Sequence, residues 1–162
     1  MAILPEGREE NVVASLFTYL GTNYTDTPVD YAGSGVKEED MDEWARADVM
    51  FTIPRYSRQT DQQGNFGAEP LIMLNINVFQ KQTPYEKDTY RLIRLGDTLR
   101  DLFRVPLGIP VKDYVENAGA NRIGTLQTSE IETTSLPFDQ TRGVYGRNIT
   151  STMRYVFRWE AP

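Results

Sequence analysis

Cysteine and histidine are both absent from this chain of 162 residues. Without cysteine, the chain forms neither a disulfide bond nor a thiolate nucleophile. Without histidine, it lacks the commonest general base, and zinc sites of the usual kind are excluded when both residue types are missing. Carboxylate, lysine and tyrosine chemistry remain open, but the sequence clusters no such groups into a site. We therefore predict no enzymatic activity, no catalytic residue, no cofactor and no bound metal.

Long apolar runs and excess positive charge are also lacking. No run approaches the roughly 18 apolar residues that cross a membrane, and the start, MAILPEGREE, lacks the pattern of a signal peptide, so we expect no membrane segment. Lysine and arginine number 17 against 23 acidic residues, which gives a net charge of −6. Because such a surface repels phosphate, sequence-specific DNA binding is not expected. The length suits one domain over residues 1–162.

The most regular pattern runs from Leu71 to Arg104. Its first half alternates with the period of a strand that has one buried face, through Ile72, Leu74, Ile76 and Val78. Its second half has the three- and four-residue spacing of an amphipathic helix, through Leu92, Leu95, Leu99 and Leu102. Thr83, Pro84 and Glu86 form the sequence signature of a capped helix start. Within this helix Gly96 costs about 1 kcal/mol relative to alanine, and a close approach of helix to sheet would explain it.

Weaker patterns on either side complete the prediction. We expect a helix over residues 7–20, either a short edge strand or an extended arm at Val29–Tyr31, strands through Val49–Ile53, near Val111–Val115 and over residues 123–132, and a final strand in which Met153, Tyr155, Phe157 and Trp159 share a face. This order predicts an α+β fold with a mixed, mainly antiparallel sheet of about five or six strands, packed by two helices and carrying long hairpin loops.

Two long polar connections interrupt these elements, at residues 55–69 and 133–147. Connections of this length are uncommon in compact domains and are often functional. The first is either a mobile surface hairpin or a ribbon that becomes ordered on a partner. Aromatic and arginine side chains are favoured in protein interfaces, so we take as candidate interface residues Arg55, Tyr56, Arg58 and Phe66 in the first connection and Phe138, Arg142, Tyr145 and Arg147 in the second.

Two acidic groups have alternative interpretations. The run from Lys37 to Glu43 is either a solvated loop or helix start, or a cation site, although it lacks the spacing of an EF-hand. Glu130 and Glu132 are spaced as a pair that would flank a sugar, but a surface strand explains them better. We expect neither group to be a site.

The organisation resembles the tail terminator (tail completion) family of long-tailed bacteriophages. Three segments carry the resemblance: the N-terminal helix, the strand LIMLNINVFQ that leads into the helix TPYEKDTYRLIRLGDTLRDLF, and the closing strand ITSTMRYVFRW. The resemblance implies a structural virion protein that forms a ring, expected to be a hexamer, at the head-proximal end of the tail tube. Such a ring ends tube polymerisation and joins the tail to the head.

The resemblance also implies the partners and the location. The partners would be copies of the same chain, the tail-tube protein and the head-completion or neck proteins, with assembly in the host cytoplasm and a final place in the virion. DNA would pass through the ring without specific binding, which an acidic chain favours. Two alternatives stay open: a head-completion, connector or tail-tube protein of the same virion, and a small enzyme with a carboxylate site.

Overall fold

The computed structural model describes residues 9–31, 34, 37–51, 55–60, 66–69, 71–82, 89–104 and 108–157. Of these, residues 55–60, 66–69, 89, 156 and 157 are described by their backbone alone. The predicted helix cap at Thr83–Glu86 lies outside the described residues, as do Ile53, Trp159 and the side chain of Phe157.

The described residues form three α-helices and eight strands. The helices are α1 (Glu9–Asn23), α2 (Thr89–Phe103) and α3 (Tyr114–Asn117), and a short 3₁₀ turn lies at Glu38–Asp40. The strands are β1 (Val29–Tyr31), β2 (Glu43–Phe51), β3 (Arg55–Thr60), β4 (Phe66–Glu69), β5 (Leu71–Lys81), β6 (Ile109–Lys112), β7 (Arg122–Asp139) and β8 (Val144–Phe157).

Six of these strands form one sheet in the order β1-β2-β5-β8-β7-β6. Strand β1 is parallel to β2 and lies at one edge, so Val29–Tyr31 is an edge strand and not an extended arm. The other neighbouring strands of this sheet are antiparallel. Strands β3 and β4 form a separate two-stranded ribbon. The predicted α+β class and the mixed, mainly antiparallel sheet are therefore confirmed.

One face of the sheet carries the core. The predicted alternation of β5 is confirmed, because Ile72, Leu74, Ile76 and Val78 are each at most 1% exposed. Met153 and Tyr155 of β8 are buried in the same cluster, and α1 and α2 supply its other large side chains. Burying a leucine or isoleucine side chain stabilises a fold by about 1.5–3 kcal/mol, so this strand and its two helices fix the scaffold.

The opposite face of the sheet is polar where β5 meets β8. Asn148 donates from its amide nitrogen to the Asn77 side-chain oxygen at 2.8 Å. The Thr150 hydroxyl lies 2.8 Å from the side-chain oxygen of Asn75 and 2.8 Å from that of Asn148. These side chains are partly exposed, so the two faces of the central strands differ sharply in polarity.

Helix α1 covers β6, the strand at the second edge of the sheet. The Ser15 hydroxyl accepts from the Lys112 N–H at 2.9 Å, and the Asn11 side-chain oxygen accepts from the Tyr114 N–H at 2.8 Å. The prediction of a strand as far as Val115 is wrong. The strand ends at Lys112 because the Asp113 carboxylate accepts from the Glu116 N–H at 3.1 Å and caps α3.

Candidate protein interface

The second long connection is mostly strand. The prediction of a loop over residues 133–147 is wrong, because β7 continues to Asp139 and β8 begins at Val144. Only residues 140–143 turn the chain, with Gly143 at a φ of 64°. Apolar and polar residues alternate too weakly in this segment to predict a strand from the sequence alone. Its extended conformation comes from pairing with β8, in which Thr134 lies opposite Asn148.

This hairpin leaves a long strand edge open. Strand β6 pairs with β7 only between Arg122 and Leu126. From Gln127 onward, no strand within the described ranges pairs with that edge of β7. Pro137 supplies no N–H donor, so residues 127–136 form the open edge, with a register irregularity between Thr128 and Glu130. We call these residues the β7 edge. An unpaired row of N–H and C=O groups is a template for another strand.

The β7 edge is polar and acidic. Residues 127–139 contain Glu130, Glu132 and Asp139 and no lysine or arginine. Both glutamates are exposed, and the register places them opposite Thr152 and Thr150 on the polar face of the sheet. Their interpretation as a surface strand is therefore confirmed. The sequence does not reveal the open edge, because no local pattern shows where a neighbouring strand stops.

Two of the candidate interface residues come together at the end of this hairpin. The rings of Phe138 and Tyr145 are tilted against each other with centroids 4.5 Å apart, and each side chain remains 37% exposed. Such a geometry is typical of a favourable aromatic pair. The pair is thus a preformed, partly exposed apolar surface on a strand scaffold.

Arg142 lies in the turn and is held within the chain. The Asp139 side chain accepts from the Thr141 and Arg142 N–H groups at 3.0 and 3.2 Å, which orders the turn. The Arg142 guanidinium donates to Glu38 at 2.7 Å, and Glu38 also pairs with Arg46. Glu38, which belongs to the acidic run, therefore forms ion pairs with two arginines. Within the described ranges, no group of three or more acidic residues could hold a metal ion.

Arg147 has a different environment. Its predicted place in a loop is wrong, since it belongs to β8 opposite Val78, on the face that α2 covers. An added Cβ on Gly96 of α2 would lie 2.6 Å from the Arg147 Cδ. The predicted close approach at Gly96 is therefore made by an arginine side chain of the sheet. The interface role of Arg147 stays a prediction.

The first long connection forms the two-stranded ribbon. Phe51 of β2 lies opposite Ile72 of β5, and the same antiparallel course resumes with Arg55 opposite Glu69. The ribbon thus prolongs the β2–β5 pair, as the predicted hairpin required. The ribbon contains the remaining candidate interface residues, which the structure describes by their backbone alone: Arg55, Tyr56, Arg58 and Phe66.

Several titratable side chains outside the β7–β8 hairpin have shifted pKa values, and their hydrogen bonds connect different parts of the chain. Burial raises the pKa of Tyr24 to about 12, although a hydrogen bond with Thr27 opposes the shift. Hydrogen bonds from the Glu116 N–H, Asn117 and Asn11 lower the pKa of Asp113. Arg91 of α2 donates through two nitrogens to Glu43 of β2, and this contact raises the Arg91 pKa.

None of the described helices is long and apolar enough to span a membrane.

Comparison with known proteins supports the fold. No family model matches the chain, and no curated protein matches it. A solved structure has the same fold with a TM-score of 0.63 and 16% sequence identity, and the match covers 94% of this chain and 99% of the other. At this identity the likeness concerns the fold alone, which it supports over nearly the whole length.

Proposed function

We propose that this chain is a structural virion protein of a long-tailed bacteriophage that forms a ring, expected to be a hexamer, on the last ring of the tail tube. There it ends tube polymerisation and presents a surface to the head-completion or neck proteins. The proposal starts from the resemblance of three sequence segments to tail terminators. The observation that carries it further is the β7 edge, which exposes ten residues of strand on a rigid scaffold.

A ring places two different surfaces of one chain against each other. Contacts between unlike patches close into rings when the rotation permits, whereas a self-complementary patch stops at a dimer. The β7 edge and the β3–β4 ribbon are two unlike surfaces of this kind. The exposed Phe138–Tyr145 pair adds an apolar anchor of the type that dominates interface energies.

The charge suits a channel through which DNA slides. Binding to phosphate is driven largely by release of counterions from the nucleic acid, which requires lysine and arginine on the protein. With a net charge of −6, the chain offers little such attraction. DNA would therefore pass the ring without being held, and the proposal needs no cofactor and no catalysis.

Assembly of the purified chain tests this function. We expect light scattering after size exclusion to give a six-chain mass, and negative-stain images to show the ring on one end of the phage's tail tubes. Tubes mixed with the chain should stop growing. A chain that polymerises into tubes by itself would be a tube subunit instead. A chain that binds head vertices but not tubes would be a head-completion protein, and a monomer that ignores both would refute the proposal.

A further inference from the structure

We propose that the ring is closed by strand addition: β3 of one copy pairs with the β7 edge of the next copy. Arg55 and Arg58 of β3 then lie along the strand that bears Glu130 and Glu132. This inference rests on the proposed ring and names the contact that builds it. The partner is a second copy of this chain, and the contact is made mainly by backbone hydrogen bonds.

The sheet topology places the two strands on opposite sides of the molecule. Within the ribbon, β4 is the strand that contacts β8, so β3 is the strand farther from β8 and β7. Among the described strands, β3 pairs only with β4. The free edge of β3 therefore faces away from β7. Such an arrangement forbids pairing within one chain and permits head-to-tail pairing between chains.

Length and charge select β3 among the available strands. The six residues of β3 span about 20 Å and fit within the ten residues of the β7 edge. Strand β3 contains two arginines and no acidic residue, whereas the β7 edge contains two glutamates and no basic residue. Opposite charges across neighbouring strands stabilise a pair, and like charges destabilise it.

Other occupants of the edge fit less well. Two β7 edges pairing with each other would bring their glutamates together and would give a closed dimer rather than a ring. Strand β1, which is parallel to β2, has only three residues, so it offers a shorter contact than the six residues of β3.

The pairing also sets the relative position of neighbouring copies. The ribbon starts beyond the end of the β2–β5 pair at Phe51 and Ile72, whereas the registers place the β7 edge alongside β5 from Leu71 to Phe79. Pairing β3 with this edge therefore displaces one copy along the strand direction relative to the next. A closed ring accommodates such a displacement when the strands are tilted, so we expect them to run obliquely to the ring axis.

Disulfide trapping between copies tests the pairing directly. The chain contains no cysteine, so single-cysteine variants give no background. We expect Ser57→Cys to form a disulfide-linked dimer when it is mixed with Thr133→Cys or Thr134→Cys, which lie on opposite faces of β7 next to Glu132. Neither edge variant should dimerise alone. A disulfide within an edge variant alone would show pairing of two β7 edges and would overturn the proposal, as would no disulfide in any mixture.

Charge exchange provides the second test. We expect Glu130→Lys with Glu132→Lys to weaken self-association at least tenfold, and Arg55→Glu with Arg58→Glu to do the same. A chain that carries all four substitutions should assemble again. Glu9→Lys with Glu10→Lys makes the same change of charge at exposed positions of α1 and should leave association unchanged. Four substitutions that do not restore assembly would contradict the pairing.

The outcomes separate this inference from the proposed function. A ring that forms through these residues but leaves tube growth unaffected refutes the function and keeps the pairing. A parent chain that caps tubes while the charge variants and cysteine mixtures have no effect refutes the pairing and keeps the function. A chain that stays monomeric both free and on tubes refutes the pairing.

Discussion

The side chain of Arg147 occupies the space that a Cβ on Gly96 would need. The built Cβ would lie 2.6 Å from Cδ and 2.8 Å from Nε of Arg147. The arginine extends from β8 onto the face of the sheet that α2 covers, and its Nε is buried without a hydrogen-bond partner among the described residues. Helix α2 therefore carries a glycine in its middle because a long side chain passes beneath it.

Gly96→Ala should destabilise the chain, although alanine is the better helix former. The gain in helix propensity is about 1 kcal/mol, while overpacking typically costs about 1–3 kcal/mol. We expect a net loss of about 1 kcal/mol in urea unfolding. With Arg147→Ala as the background, the same change should instead stabilise by about 1 kcal/mol. Equal effects of Gly96→Ala in the two backgrounds would show that the two residues are not coupled.

Asp113→Asn should weaken the dependence of stability on pH in acid. The folded-state pKa of Asp113 is lowered from its ordinary value of 3.8 by hydrogen bonds to the carboxylate. Its contribution is therefore fully present above that value and is lost as the pH falls through the lower folded-state pKa. Urea unfolding at a series of pH values should show a shallower loss for the variant below about pH 4. Parallel curves for parent and variant would contradict this role.

Tyr145→Ala should weaken self-association or tube binding by about tenfold, because truncation of an interface anchor commonly costs more than 1 kcal/mol. Its effect on folding should be smaller than the about 3–5 kcal/mol that truncation of a core aromatic side chain costs, because the ring is partly exposed. Analytical ultracentrifugation and thermal unfolding measure the two effects. Tyr90 of α2 is 73% exposed, so Tyr90→Ala is the matched control and should change neither. A Tyr145 variant with full assembly would refute the anchor.

Arg142→Ala should loosen the turn of the β7–β8 hairpin, whereas Arg46→Ala should not. Both arginines pair with Glu38, but only Arg142 belongs to the turn. Exposed ion pairs contribute about 0.2–1 kcal/mol each, so we expect small changes in global stability. Hydrogen exchange of residues 140–143 should be faster in the Arg142 variant than in the Arg46 variant, and it should respond to salt in the parent. Equal exchange in the two variants would contradict the role of the Arg142–Glu38 pair.

Several elements follow from the sequence because their signals are local. The alternation from Ile72 to Val78 places one face of β5 in the core wherever the strand lies. The leucine spacing of α2 likewise selects its buried face, and Leu95 and Leu99 are each at most 1% exposed. The α+β class follows from these patterns taken in order.

Other features were decided only by the tertiary structure. Residues 133–139 are strand because β8 pairs with them, and none of the described strands pairs with the β7 edge because β6 extends along β7 only as far as Leu126. Asp113 ends β6 through a network that reaches Asn11, 102 positions earlier in the chain. Contacts between distant segments leave no periodic signal at either end. Local periodicity is enough to predict the strand–helix centre from Leu71 onward, whereas strand pairing in the folded chain determines which edge of the described sheet stays unpaired.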